Sequence, residues 1–536
     1  MSNLISRKAL LCSRRPFLIA PSNYRRLSSR TSPLQSTYTG NPTSASSAAA
    51  DVLHPIQSDS KSTSKSATMP KISPLSILPL SNVVRSLVIN TISSSPSEAK
   101  KPPRQWLPDG QRSLLLAPSL KIMTILAHSQ NPILSPDRNP VLRFFLKNTF
   151  YKQFCAGETH AEVQKTVRGI KDLGFKGVFL CYAREVEKSP GANIDVEKCV
   201  KNEVLPWAEG TLATVRLAGP GDFVSIKVTG AGSLALQALE AKGVCHDTLK
   251  QAIDDICALG AERGVKLAFD AEHAAVQAGI DLWTLKYMKR YNKPGKGGAV
   301  IYGTYQAYLK ACPQVVANHM AIAQKENFTL GVKLVRGAYM GSDPRELIHD
   351  TKRETDECYD GIAEALIRQS PNAILKPENG EEKIFQAVDL VLAGHNLESV
   401  RKAQVIRTEQ AEKDEDRIEL CYAQLQGMAD EVSCELVAEG KLAESMNSSN
   451  AQDSKVTVHG GINELIGGTK GGKDQLDLKT DIPKAYKYLT WGTTGECMKY
   501  LLRRAYENRD AVGRTREGRN EMGRELVRRV KGIFGA

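Results

Sequence analysis

Residues Leu249–Glu272 read LKQAIDDICALGAERGVKLAFDAE. Leu249–Arg263 carries helical periodicity, and Val265–Phe269 is a short apolar strand that ends on Asp270 and Glu272. Helix and strand form a unit, and the unit recurs along the chain. Strands are expected at Gly177–Cys181, Phe223–Val228, Ala299–Ile301, Gly331–Val335, Ala387–Leu392 and Ile418–Tyr422, with Tyr486–Trp491 as the last. Helical stretches such as Ala161–Leu173 lie between them, and Cys497–Glu507 follows the last. Such alternation implies parallel strands with helical crossovers. Seven or eight units over about 370 residues fit a distorted (β/α)8 TIM-type barrel of the α/β class better than an open sheet.

Outside this repeat the chain changes character. Residues 1–50 contain no Asp or Glu and seven basic residues: Arg7, Lys8, Arg14, Arg15, Arg25, Arg26 and Arg30. Abundant serine and short apolar runs complete the composition of a mitochondrial transit peptide. Residues 51–140 are expected to be poorly ordered or helical, with a helix around 111–128 and order beginning near Leu142. The barrel is expected over 141–515, with a charged helix in Arg401–Arg417 and a polar surface insertion at about 439–481. The basic tail, 516–536, reads as a helix packed on the barrel, with a membrane surface as the alternative.

The net charge of +13 resembles a nucleic-acid footprint, but residues 1–150 hold 19 basic and 5 acidic residues. The remaining 386 hold 53 and 54, so no nucleic-acid surface is expected on the folded part. No run of about 18 apolar residues is present. The eleven cysteines include no CxxC pair, which suits free thiols and gives no metal site. Gly467–Lys473 matches GxxxxGK, but Asp474 stands where a P-loop needs Ser or Thr. No GxGxxG opens a helix after a strand, so a dinucleotide fold is unsupported.

Charges within apolar strands carry more information. Lys227, Asp270, Glu272, Lys333, Arg336, His395 and Gln424 lie in or at the C-terminal ends of strands. Buried charges need partners, and catalytic groups of a barrel gather at that end. Arg503 and Arg504 could clamp a carboxylate, with Glu507 one helical turn away to orient them.

These segments resemble the proline dehydrogenase family. Asp270-Ala-Glu272, Thr304-Tyr-Gln-Ala-Tyr-Leu309, Val332-Lys-Leu-Val-Arg-Gly-Ala-Tyr339, His395-Asn396, Gln424-Leu-Gln-Gly-Met428 and Leu501-Leu-Arg-Arg-Ala-Tyr-Glu-Asn508 follow that family's order. The resemblance implies a mitochondrial enzyme with FAD bound non-covalently at the barrel mouth. It would oxidise L-proline to Δ1-pyrroline-5-carboxylate by hydride transfer to flavin N5. Electrons would pass to a membrane quinone, with peripheral inner-membrane contact, and pyrroline-5-carboxylate dehydrogenase would act next.

By the same resemblance, Lys227, Arg503 and Arg504 would hold the substrate carboxylate and Glu507 would fix the arginines. Asp270 and Tyr488 would flank the ring, and Tyr339 and Leu425 would line the pocket. Gln306, Lys333, Arg336, His395 and Asn396 would hold FAD. Two positions depart from the family: Cys181, where Asp is common, and Gly394, where Thr is usual. Hydroxyproline dehydrogenase is the alternative, disfavoured by Tyr488. A non-catalytic barrel that binds an anionic metabolite is a further one.

Overall fold

A computed structural model describes residues 73–94, 116–129, 131–184, 194–295, 297–376, 385, 387–450, 481–507 and 512–533. The transit-like segment, the GxxxxGK match and residues 451–480 of the expected insertion lie outside them.

Eight parallel strands close into a barrel in sequence order. They are β1 (Gly177–Tyr182), β2 (Phe223–Ile226), β3 (Lys266–Phe269), β4 (Ile301–Gln306), β5 (Leu330–Val335), β6 (Val388–Ala393), β7 (Leu420–Leu425) and β8 (Ala485–Trp491). β8 pairs with β1 from Tyr486↔Gly177 to Trp491↔Tyr182, which leaves no open edge. Helices between the strands pack over the outward Val, Ile and Leu side chains. The helix over Leu249–Arg263 is as expected and spans Asp247–Arg263; Gly264 ends it in the left-handed conformation at φ +66°.

Inside, large aromatic rings fill the barrel. Phe179 and Phe223 stack at 4.1 Å, with Tyr302 and Tyr486 edge-on to Phe223. The interior is a packed core, so polar groups are left to its two ends, with Lys266, Tyr302 and Asp389 at the bottom and the expected site residues at the mouth.

The largest strand discrepancy is β4. Expected at Ala299–Ile301, it runs Ile301–Gln306. Its inward residues Tyr302, Thr304 and Gln306 break the apolar pattern that marks a strand. Packing also begins well before Leu142. Leu75, Leu78 and Val83 are buried with Cys434 and Met522, partners hundreds of residues away that local composition does not reveal. The helix that starts at Asp430 runs past Glu439 to Asn450.

The C-terminal helix Val512–Ile533, expected on the barrel, packs chiefly against the N-terminal helix Leu80–Ser94. The Arg529 guanidinium donates to the carbonyls of Leu75 (3.0 Å), Ser76 (3.2 Å) and Leu78 (2.9 Å). Buried Glu525 accepts from both Arg528 and Arg529 and its carboxyl is held down to about 2 by Arg528 first.

A carboxyl in the opposite situation gives a stability test. Burial pushes Asp281 up to about 6, partly offset by a hydrogen bond from Gln277 Nε2 at 2.8 Å. The folded state therefore holds this proton more tightly than the unfolded chain. The cost of ionising it is absent below the ordinary carboxyl pKa and complete above about 6. Asp281→Asn keeps the acceptor for Gln277 without the charge. It is expected to stabilise the fold by about 1–3 kcal/mol at pH 8 and hardly at all near pH 4, as read by denaturant unfolding.

Candidate active site

Side chains alternate along a strand, and the inward parity carries the expected groups to the mouth. Lys227 follows Phe223 and Ser225, Asp270 follows Ala268, and Gln306 follows Tyr302 and Thr304. Lys333, Leu425 and Tyr488 share that parity on β5, β7 and β8. Gln424 does not. It faces outward, donates to Gly394 O (3.3 Å) and accepts from Ser433 (3.2 Å).

At the centre is a buried carboxylate with both oxygens engaged. Lys333 Nζ donates to Asp270 Oδ1 at 2.6 Å, and Tyr488 OH donates to Oδ2 at 2.8 Å. Burial alone would raise the Asp270 pKa, but the charges of Lys333 and Lys227 and the Tyr488 hydrogen bond outweigh it. The result lies below the usual carboxylate range. An acid so held is a poor proton acceptor and a good positioning group. Removing Lys333 or Asp270 alone would strand a buried charge, at a cost of about 3–5 kcal/mol. Burial lifts the Tyr488 phenol well above its ordinary value, so it stays a neutral donor. Its ring lies 5.1 Å from Lys333 Nζ.

A second group is cationic. Lys227 Nζ lies 5.1 Å from the centroid of the Tyr500 ring, and the Arg504 guanidinium lies 5.7 Å from the same ring. The Arg503 guanidinium sits 5.6 Å from the Tyr339 ring. Gly337, at φ +147°, turns the chain between Arg336 and Tyr339; a Cβ there would meet the Tyr308 ring at 2.3 Å. Burial first, then Glu272, pushes the Tyr339 phenol up to about 12, while Arg503, Lys227 and Arg504 pull it back. The three cations thus act on one small volume beside Asp270. Tyr500, which the sequence pattern does not single out, joins Lys227 to Arg504. Its signal was its place one helical turn before Arg503 and Arg504. The Cys181 thiol lies beside both Tyr488 and Tyr500. The side chain of Glu507 lies outside the described residues.

The other expected groups sit around this centre. Glu272 accepts from Thr229 N at 3.1 Å and from the Thr229 hydroxyl. Gln306 ties loops together: Nε2 donates to Glu272 O and Oε1 accepts from Ala338 N, both at 3.2 Å. His395 Nε2 accepts from Leu425 N at 3.1 Å, which orients the loop after β7. Asn396 caps the helix Leu397–Glu412 by accepting from Glu398 N at 2.9 Å.

Arg336 leaves the central group. Its Nε donates to Asp356 (2.8 Å), its Nη2 donates to Ser399 (2.8 Å), and its plane covers Tyr359. Nη1 is buried with no partner among the described residues, and it would lie 3.4 Å from a Cβ on Gly394. Asp356 and Asn396, beside Arg336 and His395, also line a groove of about 860 Å³. Glu357, Asp360, Glu364 and Glu398 border it with Lys352, Arg353 and Lys402, so carboxylates outnumber cations, and Lys352 and Lys402 are paired with Asp356 and Asp360. Such a lining suits hydroxyl groups, as on a ribose, better than a diphosphate. The diphosphate of a flavin dinucleotide would fit at Arg336 instead, whose buried Nη1 has no partner among the described residues. Among the described residues no cluster of His, Cys, Asp and Glu could hold a metal.

The profile of the proline dehydrogenase family matches residues 163–517. The probable mitochondrial proline dehydrogenase of Schizosaccharomyces pombe is 27% identical over 441 residues, covering 72% of this chain and 80% of that protein. The hydroxyproline dehydrogenase of Mus musculus is 25% identical over 428 residues, covering 72% and 83%. Among solved structures, proline utilization A from Bdellovibrio bacteriovorus, inactivated by N-propargylglycine, aligns with a TM-score of 0.50 at 17% identity. That alignment covers 80% of this chain but 41% of the bacterial one, and it speaks to the fold alone.

Proposed function

Because the chain belongs to the proline dehydrogenase family, we propose that it is an FAD-dependent L-proline dehydrogenase working at the matrix side of the mitochondrial inner membrane. The observation that carries the reading is the trio Lys227, Arg503 and Arg504 grouped around Tyr500 and Tyr339, next to the Lys333–Asp270–Tyr488 chain.

Three cations suit one carboxylate, so they anchor that end of proline. The anchor fixes the direction of the ring, and Tyr488 walls its far side. Tyr500 and Tyr339 exclude water from the cations and strengthen the attraction. Asp270, held ionised, orients Tyr488 and Lys333 rather than taking a proton. Positioning of this kind supplies most of what the chain contributes.

The substrate amine reacts in its neutral form. Its ring carbon gives up a hydride and its nitrogen a proton, leaving the cyclic imine Δ1-pyrroline-5-carboxylate. FAD, when bound, would supply the two-electron acceptor, and Lys333 and Arg336 are among the residues that would hold it. A membrane quinone takes the electrons on, and pyrroline-5-carboxylate dehydrogenase consumes the product.

Hydroxyproline oxidation is the second reading, since a hydroxyproline dehydrogenase is nearly as similar as a proline dehydrogenase. The bulk of Tyr488 and its bond to Asp270 favour the unsubstituted ring. Adding L-proline without oxygen to the flavin-loaded chain tests the reading, and the visible flavin band is expected to bleach.

A further inference from the structure

The surface over the final barrel helix is unusually apolar. The short helix Pro140–Leu146 buries Leu146 together with Met123 and Leu501 but turns Val141, Phe144 and Phe145 outward. These are 76%, 71% and 61% exposed, and they share one face at i, i+3 and i+4. Ile133, 69% exposed, is tied to them because Asn139 Nδ2 donates to its carbonyl at 2.7 Å. The neighbouring helix Leu116–His128 behaves alike: Leu120, Met123 and Ala127 enter the same core, while Ile122 and Ile125 stay exposed. The segment is firmly mounted. Asn139 caps the short helix through Val141 N and Leu142 N, and Asp137 Oδ1 accepts from Gly495 N at 2.8 Å. Exposed apolar area of this extent on a fixed frame marks an interaction surface.

Charge selects the partner. Residues 116–157 contain five basic residues, of which Lys147 is paired with Glu158 and Glu162 and Lys121, Arg138, Arg143 and Lys152 remain exposed, and one acid, Asp137, which the final helix uses. We propose that this face docks on an anionic lipid surface, with Phe144, Phe145, Val141 and Ile133 entering the acyl boundary and Arg138 and Arg143 meeting headgroups. A second copy related by a two-fold axis would set these cations against themselves. The chain's own segments that precede this face and lie outside the described residues are no better matched. Residues 1–72 hold ten basic residues and two acids, and residues 95–115 hold four and two.

The surface deepens the proposed function, resting on it only for the electron acceptor that a bilayer would deliver. The final helix runs from this face to Arg503 and Arg504, so docking would bring the barrel's last element to the membrane.

The test uses the full flavin-loaded chain and flotation with vesicles of phosphatidylcholine carrying phosphatidylglycerol. The wild type is expected to float, and the pair F144D/F145D to lower the bound fraction at least about tenfold. The pair R138E/R143E should lower it at low salt, with an unchanged melting temperature in both variants. Turnover of proline with a water-soluble dye should be unchanged in both, while turnover with a quinone dissolved in the vesicles falls with binding. A wild type that reduces the dye but does not float overturns the surface and leaves the activity standing. One that floats through this face but never reduces the dye does the reverse. F144D/F145D floating like the wild type, or merely converting a dimer to a monomer, also overturns the proposal.

Discussion

Replacing Arg503 and Arg504 together by alanine is expected to lower kcat/KM for L-proline by about a hundred- to ten-thousand-fold. Each charge-assisted hydrogen bond to a carboxylate is worth about 1.5–3 kcal/mol, and about 1.4 kcal/mol is a factor of ten. Both constants should move. A weaker anchor raises KM, and a ring that no longer points one way lowers kcat. The two arginines are only half-buried on the helix Thr494–Glu507, so the fold should tolerate the change and the flavin should remain bound. Arg504→Lys should recover part of the loss, because a lysine keeps the charge without the planar fork. Steady-state kinetics with a dye acceptor decide the matter, and a loss under threefold would remove the arginines from substrate binding.

Tyr488→Ser should change which substrate is preferred. The ring is buried, its hydroxyl donates to Asp270 at 2.8 Å, and it stands beside Lys333. Serine vacates the wall and leaves room for one more hydroxyl on the substrate ring. Activity on L-proline is expected to fall about ten- to a hundredfold, from lost packing of a large aromatic group. The ratio of kcat/KM for trans-4-hydroxyproline over proline should rise at least about tenfold. Tyr488→Phe separates the two contributions. It keeps the wall but costs Asp270 one hydrogen bond, so selectivity should stay while activity falls modestly. Equal losses on both substrates in Tyr488→Ser would remove the tyrosine as a specificity wall.

Much of this architecture was legible because burial leaves a plain mark on a parallel strand. β3 and β5 are apolar runs ending on or interrupted by a charge, and Lys333 and Asp270 stood out for that reason. The structure pairs them at 2.6 Å, as two buried opposite charges require. β4 was harder to read, because Tyr302, Thr304 and Gln306 point into the barrel and resemble a loop in composition. The N-terminal helices were obscured by distance. Leu75 and Val83 are core residues only because Cys434 and Met522 lie against them.

For the site, residue type pointed to the cations, but sequence could not say where each side chain turns. Arg336 leaves the mouth for Asp356 and Ser399, and Asn396 spends its side chain on a helix cap. Gln306 and His395 brace backbone, which makes them supports of the mouth whatever else they touch. Tyr500 joins Lys227 to Arg504 only once β2 and the last helix meet in space.

The most direct test of the central claim is the visible spectrum of the flavin-loaded chain during anaerobic titration with L-proline. An oxidised flavin band is expected that bleaches on adding proline and scarcely responds to trans-4-hydroxyproline. Bleaching chiefly by hydroxyproline would make Tyr488 the wrong guide to the substrate. A bound flavin that neither compound reduces would contradict the proposed activity.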